Sequence, residues 1–328
     1  MNLPKRYVDA DTSLELIKSK IVGIIGFGNQ GKAQALNLKD SGVQVRIGLR
    51  DDSSSRKDAV RYGFDCYLIE ELVVNCNFIS ILIPDQEIKD VYLKFIEPNL
   101  KEGDTILFSH GYNIHYSLIA PPKFINVILS APSGAGTEVR QSYIDNKGIP
   151  GLVAVNVDYT GNSFNLALSY SMAIGLTRFG VFETSFKEET ETDLFGEQAV
   201  LVGGVPSLIK AAFQVLIDSG YSPITSWLVC YYELKTIVDM FHSKGFSFMG
   251  KAISDTAEYG GLTRGSMLIN DDVVGEMKSI LNDIQNGSFH KEWIGESNTK
   301  STLFKELRVN DSSLDIDQVT KEIFNSLE

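Results

Sequence analysis

The sequence predicts an α/β domain followed by an all-α domain, and three observations carry that prediction. Short β-branched runs alternate with longer polar segments through the first half; a strand-to-helix turn near residue 26 is marked by three glycines; and beyond about Glu183 apolar residues recur at helical spacing in long segments. Strands alternating with helical stretches build βαβ units and a parallel sheet, whereas sustained 3.6-residue periodicity belongs to packed helices. At 328 residues the chain exceeds one ordinary core, so two domains are expected, 1–184 and 185–328.

The expected strands are Ile21–Ile25, Val43–Leu49, Phe78–Ile83, Thr105–Phe108 and Asn126–Leu129, each a short run rich in Ile, Val, Leu and Phe. The expected helices of the second half include Asp193–Val202, Ser207–Ser219, Thr225–Phe241 and Asp271–Gln285. Gly203-Gly204, Gly220, Gly245 and Gly260-Gly261 are read as helix ends, where glycine supplies the terminating backbone conformation. Asn310–Glu328 reads as a polar loop running into a terminal helix.

Composition narrows the function. Thirty basic against 42 acidic residues give a net charge of −12, which disfavours nonspecific attraction to nucleic acid. No stretch approaches the roughly 20 uninterrupted apolar residues of a membrane helix, and Met1–Lys20 lacks the continuous apolar segment of a secretory signal. A cytoplasmic chain without membrane or nucleic-acid partners is expected. The three cysteines, Cys66, Cys76 and Cys230, show no metal-ligand spacing and are expected to be buried thiols.

Ile21–Ile25 leads into Gly26-Phe27-Gly28-Asn29-Gln30-Gly31, and helix-forming residues follow from Lys32 to Lys39. In that context the glycines are a dinucleotide fingerprint, and the first domain is a Rossmann-type domain. Gly26 permits the tight turn, Gly28 lets backbone approach the pyrophosphate, Gly31 lets helix and strand pack closely, and the helix N-terminus favours phosphate charge. The end of the second strand selects the coenzyme. Arg50, Ser53 and Ser55 favour the 2′-phosphate of NADPH, with Arg56 and Lys57 as helpers, while Asp51 and Asp52 leave NADH as the alternative.

The run Glu188-Glu189-Thr190-Glu191-Thr192-Asp193-Leu194-Phe195-Gly196-Glu197-Gln198 contains five carboxylates in its first ten residues. Asp193 and Glu197, four apart, share a helical face and can offer oxygen ligands to Mg²⁺. An acidic helix N-terminus stabilised by the macrodipole is the alternative reading. Glu233 stands in the apolar run Trp227–Leu234, which predicts a buried carboxylate in need of a metal or a basic partner. His110 reads from its residues alone as a hydrogen-bonded loop histidine.

From Phe186 to Leu201 the chain resembles, almost letter for letter, the metal-binding signature of the ketol-acid reductoisomerases. The resemblance continues through the glycine turn, Leu82-Ile83-Pro84-Asp85, Ser109 to His115, Glu233-Leu234-Lys235, Ile253 to Gly260 and Phe289 to Trp293, in the short form of the family with one helical domain. It implies a homodimer with shared active sites and a two-step reaction in branched-chain amino-acid synthesis. A Mg²⁺-dependent alkyl migration on 2-acetolactate or 2-aceto-2-hydroxybutyrate precedes reduction of the resulting 2-keto acid by NADPH. It also implies that Asp193 bridges two metal ions, that Glu197 binds the first, and that Glu233 of a second copy belongs to the second ion's shell. Ser254 would contact the substrate carboxylate from that copy, and His110 would line the nicotinamide end. Gly26, Gly28, Asn29, Gln30, Gly31, Arg50, Ser53, Ser55, Pro84 and Asp85 would hold the coenzyme.

Two departures fall at the chemistry. Where the family has a lysine in the loop after the fifth strand, this chain has Ser133, and where it has a glutamate four residues before Glu233, this chain has Val229. Asn29, Lys32 and Gln34 replace a serine and two histidines, and Asp255 replaces an asparagine. Fewer charged ligands predict one Mg²⁺ and a weakened second position. The expectation drawn is an NADPH- and Mg²⁺-dependent reductase acting on a small 2-keto or 2-hydroxy acid, with its isomerase step weakened. A true ketol-acid reductoisomerase and a non-catalytic nucleotide-binding homologue are the alternatives.

Overall fold

In the computed structural model, which describes residues 4–298 and 301–326, the chain divides into two compact units, 1–190 and 191–328. Residues at the ends of both expected domains, 1–3 and 327–328, lie outside the described part.

Among its described residues the first unit is built on nine strands: β1 (Arg6–Tyr7), β2 (Ile21–Ile25), β3 (Gln44–Gly48), β4 (Cys66–Tyr67), β5 (Phe78–Ile81), β6 (Thr105–Phe108), β7 (Asn126–Pro132), β8 (Gly151–Val157) and β9 (Val181–Glu183). Their order is β1-β9-β8-β7-β6-β5-β2-β3-β4. The six strands from β7 to β4 are parallel, as the alternation predicts; β8 runs antiparallel to β7, and β1 runs antiparallel to β9. Chain order reverses between β2 and β5, the point at which α/β sheets open a crevice for ligands.

Side chains alternate between two buried faces. Val22, Ile24, Phe78, Leu107 and Ile128 pack into one apolar cluster, and Ile25, Ile79, Ile81, Ile106, Phe108, Val127 and Leu129 pack into the other. Burial on both faces is why these strands read as unbroken apolar runs. The helix Ser163–Ala173 was not anticipated: eight of its eleven residues are buried, so it lacks the polar face that marks a surface helix.

The second unit contains helices and no strand among its described residues. The helix Asp271–Gln285 has the predicted limits and is capped by Asn270, whose side chain accepts from the N–H groups of Asp272 and Val273. Two other segments differ from expectation. Asp193–Val202 belongs to a helix, Phe186–Gly196, that passes at Glu197–Leu201 into a π turn, and Thr225–Phe241 is interrupted by a second π turn at Leu228–Tyr232. A π turn inserts one residue per turn without changing composition, which hides it from periodicity. Gly260 and Gly261 do not end a helix; they lie inside Asp255–Leu268, and a Cβ at either meets open space. Asn310–Ser312 closes the helix Thr302–Ser312 rather than forming a loop, and the terminal helix is Asp315–Asn325.

Buried apolar side chains among the described residues of this unit are Leu194, Ala199, Phe213, Trp227, Ile284 and Ile316. Exposed apolar residues are far more numerous and include Val202, Phe246, Tyr259, Leu262 and Leu268, each at least 62% exposed. The helical run Phe186–Asp218 spans 33 residues and, with a mean hydropathy of 1.8 in its most apolar stretch, is long and apolar enough to cross a membrane by length and composition. Pro206, Lys210 and Gln214 interrupt that apolar stretch.

Candidate active site

The glycine turn lies where β2 meets its helix, Asn29–Asp40. Gly26 has φ +99°, and a Cβ there would lie 2.5 Å from the carbonyl oxygen of Leu82. At Gly31 a Cβ would lie 2.4 Å from the carbonyl oxygen of Gly26, whereas at Gly28 it meets nothing within 4 Å. Gly26 therefore supplies a left-handed turn and Gly31 a close backbone approach, while Gly28 leaves space in front of the helix N-terminus. A cleft of about 250 Å³ opens there, lined by Gly26, Phe27, Gly28, Leu49, Arg50, Ser53, Ser55, Pro84 and Glu87 together with apolar side chains of β2 and the following segments.

Arg50, Ser53, Ser55 and Pro84 thus line this cleft with the glycines. Asn29, Gln30, Gly31 and Asp85 are not in its wall. Gln30 turns away, donating from Nε2 to the carbonyl oxygen of Gly134 at 2.9 Å. A Cβ on Gly136 would lie 2.2 Å from the carbonyl oxygen of Asn29, so the loop carrying Ser133 abuts the glycine turn. Ser133 itself is exposed, and its N–H donates to the carbonyl oxygen of Pro150. Asp85 opens the helix Asp85–Val91, and its carbonyl oxygen accepts from Asn113 Nδ2 at 3.1 Å. Arg56 directs its guanidinium to the carbonyl oxygens of Leu49 and Arg50. The Asp58 carboxylate, 2.9 Å away, and the nearby Tyr62 hydroxyl hold the Lys32 ammonium above its ordinary pKa.

His110 follows β6. Its Nδ1 lies 3.0 Å from Oε1 of Glu189, and the second carboxylate oxygen of Glu189 accepts from the N–H of Gly111 at 2.7 Å. Glu189 is 3% exposed, so one buried carboxylate fixes both the ring and the turn that bears it. Gly111 is required by this contact, because a Cβ would lie 2.6 Å from Thr190 Oγ1. Sequence reasoning counted Glu189 among the acidic residues but gave it no role; nothing in its spacing points to a histidine 79 residues earlier.

In the second unit Asp193 and Glu197 are both exposed, one turn apart, and Glu197 opens the first π turn. Glu191, by contrast, is buried and accepts from Gln285 Nε2 at 3.3 Å. Glu233 immediately follows the second π turn, its N–H donating to the carbonyl oxygen of Leu228. The expectation that Glu233 is buried is incorrect for the single chain: it is exposed, as are Leu228, Val229, Tyr231 and Tyr232 around it. An apolar neighbourhood in sequence implies burial only if something covers it, and the described residues leave these side chains exposed. Lys235 pairs with Asp239 rather than with Glu233. Ser254 caps the helix Asp255–Leu268, its Oγ accepting from the N–H of Ala257 at 3.2 Å. The cysteines are free thiols, but only Cys76 is buried; Cys66 and Cys230 are partly exposed.

Comparison with known proteins gives this geometry a family. The NADPH-binding domain of acetohydroxy acid isomeroreductase matches residues 16–180, and the C-terminal domain of ketol-acid reductoisomerase matches residues 186–327. The chain is 48% identical to the ketol-acid reductoisomerase (NADP(+)) of Petrotoga mobilis, over 97% of this chain and 96% of that one. It is 49% identical to the protein of the same name from Pyrococcus abyssi, over 92% and 91%. The solved structure of an NADH-preferring ketol-acid reductoisomerase from an uncultured archaeon superposes with a TM-score of 0.96 at 36% identity, covering 98% of each chain. These names back the alternative of a true ketol-acid reductoisomerase better than the expectation built on Ser133 and Val229. The chain is a nicotinamide-dependent oxidoreductase that belongs to the ketol-acid reductoisomerase family.

Proposed function

We propose that the protein is a ketol-acid reductoisomerase, active as a homodimer, that converts 2-acetolactate-type substrates by alkyl migration and NADPH-dependent reduction. The observation that carries this reading is the carboxylate-rich helix: Glu189 holds His110 and Gly111, and the same helix continues to the exposed pair Asp193 and Glu197. The names of the relatives support NADP(H) as the coenzyme, and Arg50, Ser53 and Ser55 in the cleft wall suit a 2′-phosphate.

Asp193 and Glu197 fit Mg²⁺, since both are unburied hard oxygen donors at a spacing that one ion can bridge, with water completing the shell. Glu233 would join them from a second copy, and Val229 adds no ligand. Bound Mg²⁺ supplies Lewis-acid polarisation of the substrate oxygens. Ser254 Oγ already accepts a backbone hydrogen bond, which leaves its O–H to donate to a substrate carboxylate. His110, held through Nδ1 by Glu189, would face the reacting end of the coenzyme. The apolar helical faces around Phe246, Leu262 and Leu268 support dimerisation, because exposed patches of this kind mark interfaces.

The test is an assay of purified protein with NADPH and Mg²⁺ on 2-acetolactate and, separately, on 3-hydroxy-3-methyl-2-oxobutyrate, the migrated intermediate. Oxidation of NADPH with both is expected. Turnover of the intermediate alone returns the reading to a reductase without isomerase activity. No turnover across a panel of 2-keto acids, with coenzyme bound, identifies a non-catalytic homologue.

A further inference from the structure

The wall of the glycine-turn cleft contains two charged residues, Arg50 and Glu87. Arg50 follows β3, and Glu87 lies in the helix Asp85–Val91 after β5. Because β2 runs between β3 and β5, the two residues come from opposite sides of the glycine turn. They meet across the cleft: Arg50 Nη1 donates to Glu87 Oε2 at 3.2 Å, with the side chains 62% and 39% exposed. The other charges of this region stay out of the wall. Arg56 serves the carbonyl oxygens of Leu49 and Arg50, and Asp51, Asp52 and Lys57 are exposed residues outside the lining.

We infer that Glu87 is a specificity-determining residue that engages the Arg50 guanidinium and thereby reduces the advantage of NADPH over NADH. The inference rests on the proposed reading of this cleft as the coenzyme site. A 2′-phosphate is recognised by cations, and Arg50 is the cation of this wall. A carboxylate bonded to that guanidinium occupies part of its donor fork and adds negative charge beside the phosphate. An unphosphorylated ribose meets neither penalty, and its hydroxyls can donate to Glu87. The pair is exposed and screened by solvent, so the effect is several-fold rather than many orders of magnitude.

Dissociation constants of NADPH and NADH, measured by titration of the full-length chain, test this. In Glu87→Gln, NADPH binding should tighten about three- to tenfold while NADH binding changes by less than about twofold or weakens. Glu87→Ala should behave alike. The gain should vanish in an Arg50→Gln background and shrink as salt is raised. An unchanged NADPH constant in both Glu87 variants, an equal shift for both coenzymes, or a gain that survives loss of Arg50 overturns the inference. If the unaltered chain binds neither coenzyme, the reading of the cleft itself fails and takes the inference with it.

Discussion

The two units solve the burial of apolar side chains differently. In the nucleotide-binding half a twisted sheet sequesters Ile, Val, Leu and Phe on both faces, and its apolar residues are largely internal. In the helical half Phe213, Trp227 and Ile316 form a small cluster, while Phe246, Tyr259, Leu262 and Leu268 face outward. Hydrophobic burial contributes roughly 25 cal/mol per Å², so surfaces of this kind favour association when a complementary face is available. The difference teaches that the first half buries its apolar residues within one chain, whereas the second leaves much of its apolar surface uncovered, as the proposed homodimer requires.

The largest expected effect breaks the second half alone. If the proposed homodimer forms, Phe246→Glu with Leu262→Glu should convert dimer to monomer in analytical ultracentrifugation and lower kcat/KM by roughly two orders of magnitude, because Glu233 and Ser254 of a second copy are proposed to complete the site. NADPH affinity should stay within about twofold, because distant, independent sites do not couple. A parallel fall in coenzyme affinity would show that the halves are not independent. Next, Asp193→Asn should weaken Mg²⁺ binding about 10- to 100-fold by calorimetry with little change in coenzyme binding.

Within the nucleotide half, Glu189→Gln should lower kcat roughly tenfold by loosening His110 and Gly111, with a smaller change in KM. A loss confined to thermal stability, with kcat intact, would assign Glu189 to packing alone. Gly31→Ala should cost about 1–3 kcal/mol in denaturant unfolding, since its Cβ meets the Gly26 carbonyl. The smallest effect concerns the thiols. Burial pushes Cys76 up to about 11 and also raises Cys230, so at pH 8 both are mainly protonated and slow to alkylate. In the monomeric variant Cys230 should label several-fold faster while Cys76 stays slow.

Much of the first half was legible because each strand's chemistry is local. Ile21–Ile25 and Thr105–Phe108 have the predicted limits, and the glycine turn announced its own geometry. Strands β1, β4, β8 and β9 were not read, because three of them are only two or three residues long and β8 carries a polar Asn156 near its end. In the candidate site, Asp193 and Glu197 were visible as a four-residue spacing on a helix. The hold of Glu189 on His110 was not, because it joins residues on two separate elements.

The sequence by itself determined the chain order of β2, β3, β5, β6 and β7, the turn that marks a dinucleotide site, the acidic helix and the family, since all of these are written in neighbouring residues. Only the tertiary structure decided that Arg50 meets Glu87, that Gln30 faces Gly134 instead of the cleft, and that the apolar run around Glu233 lies on the outside of the chain. Those outcomes depend on which segments the sheet order brings together and on which faces remain uncovered, and neither is a property of any one segment.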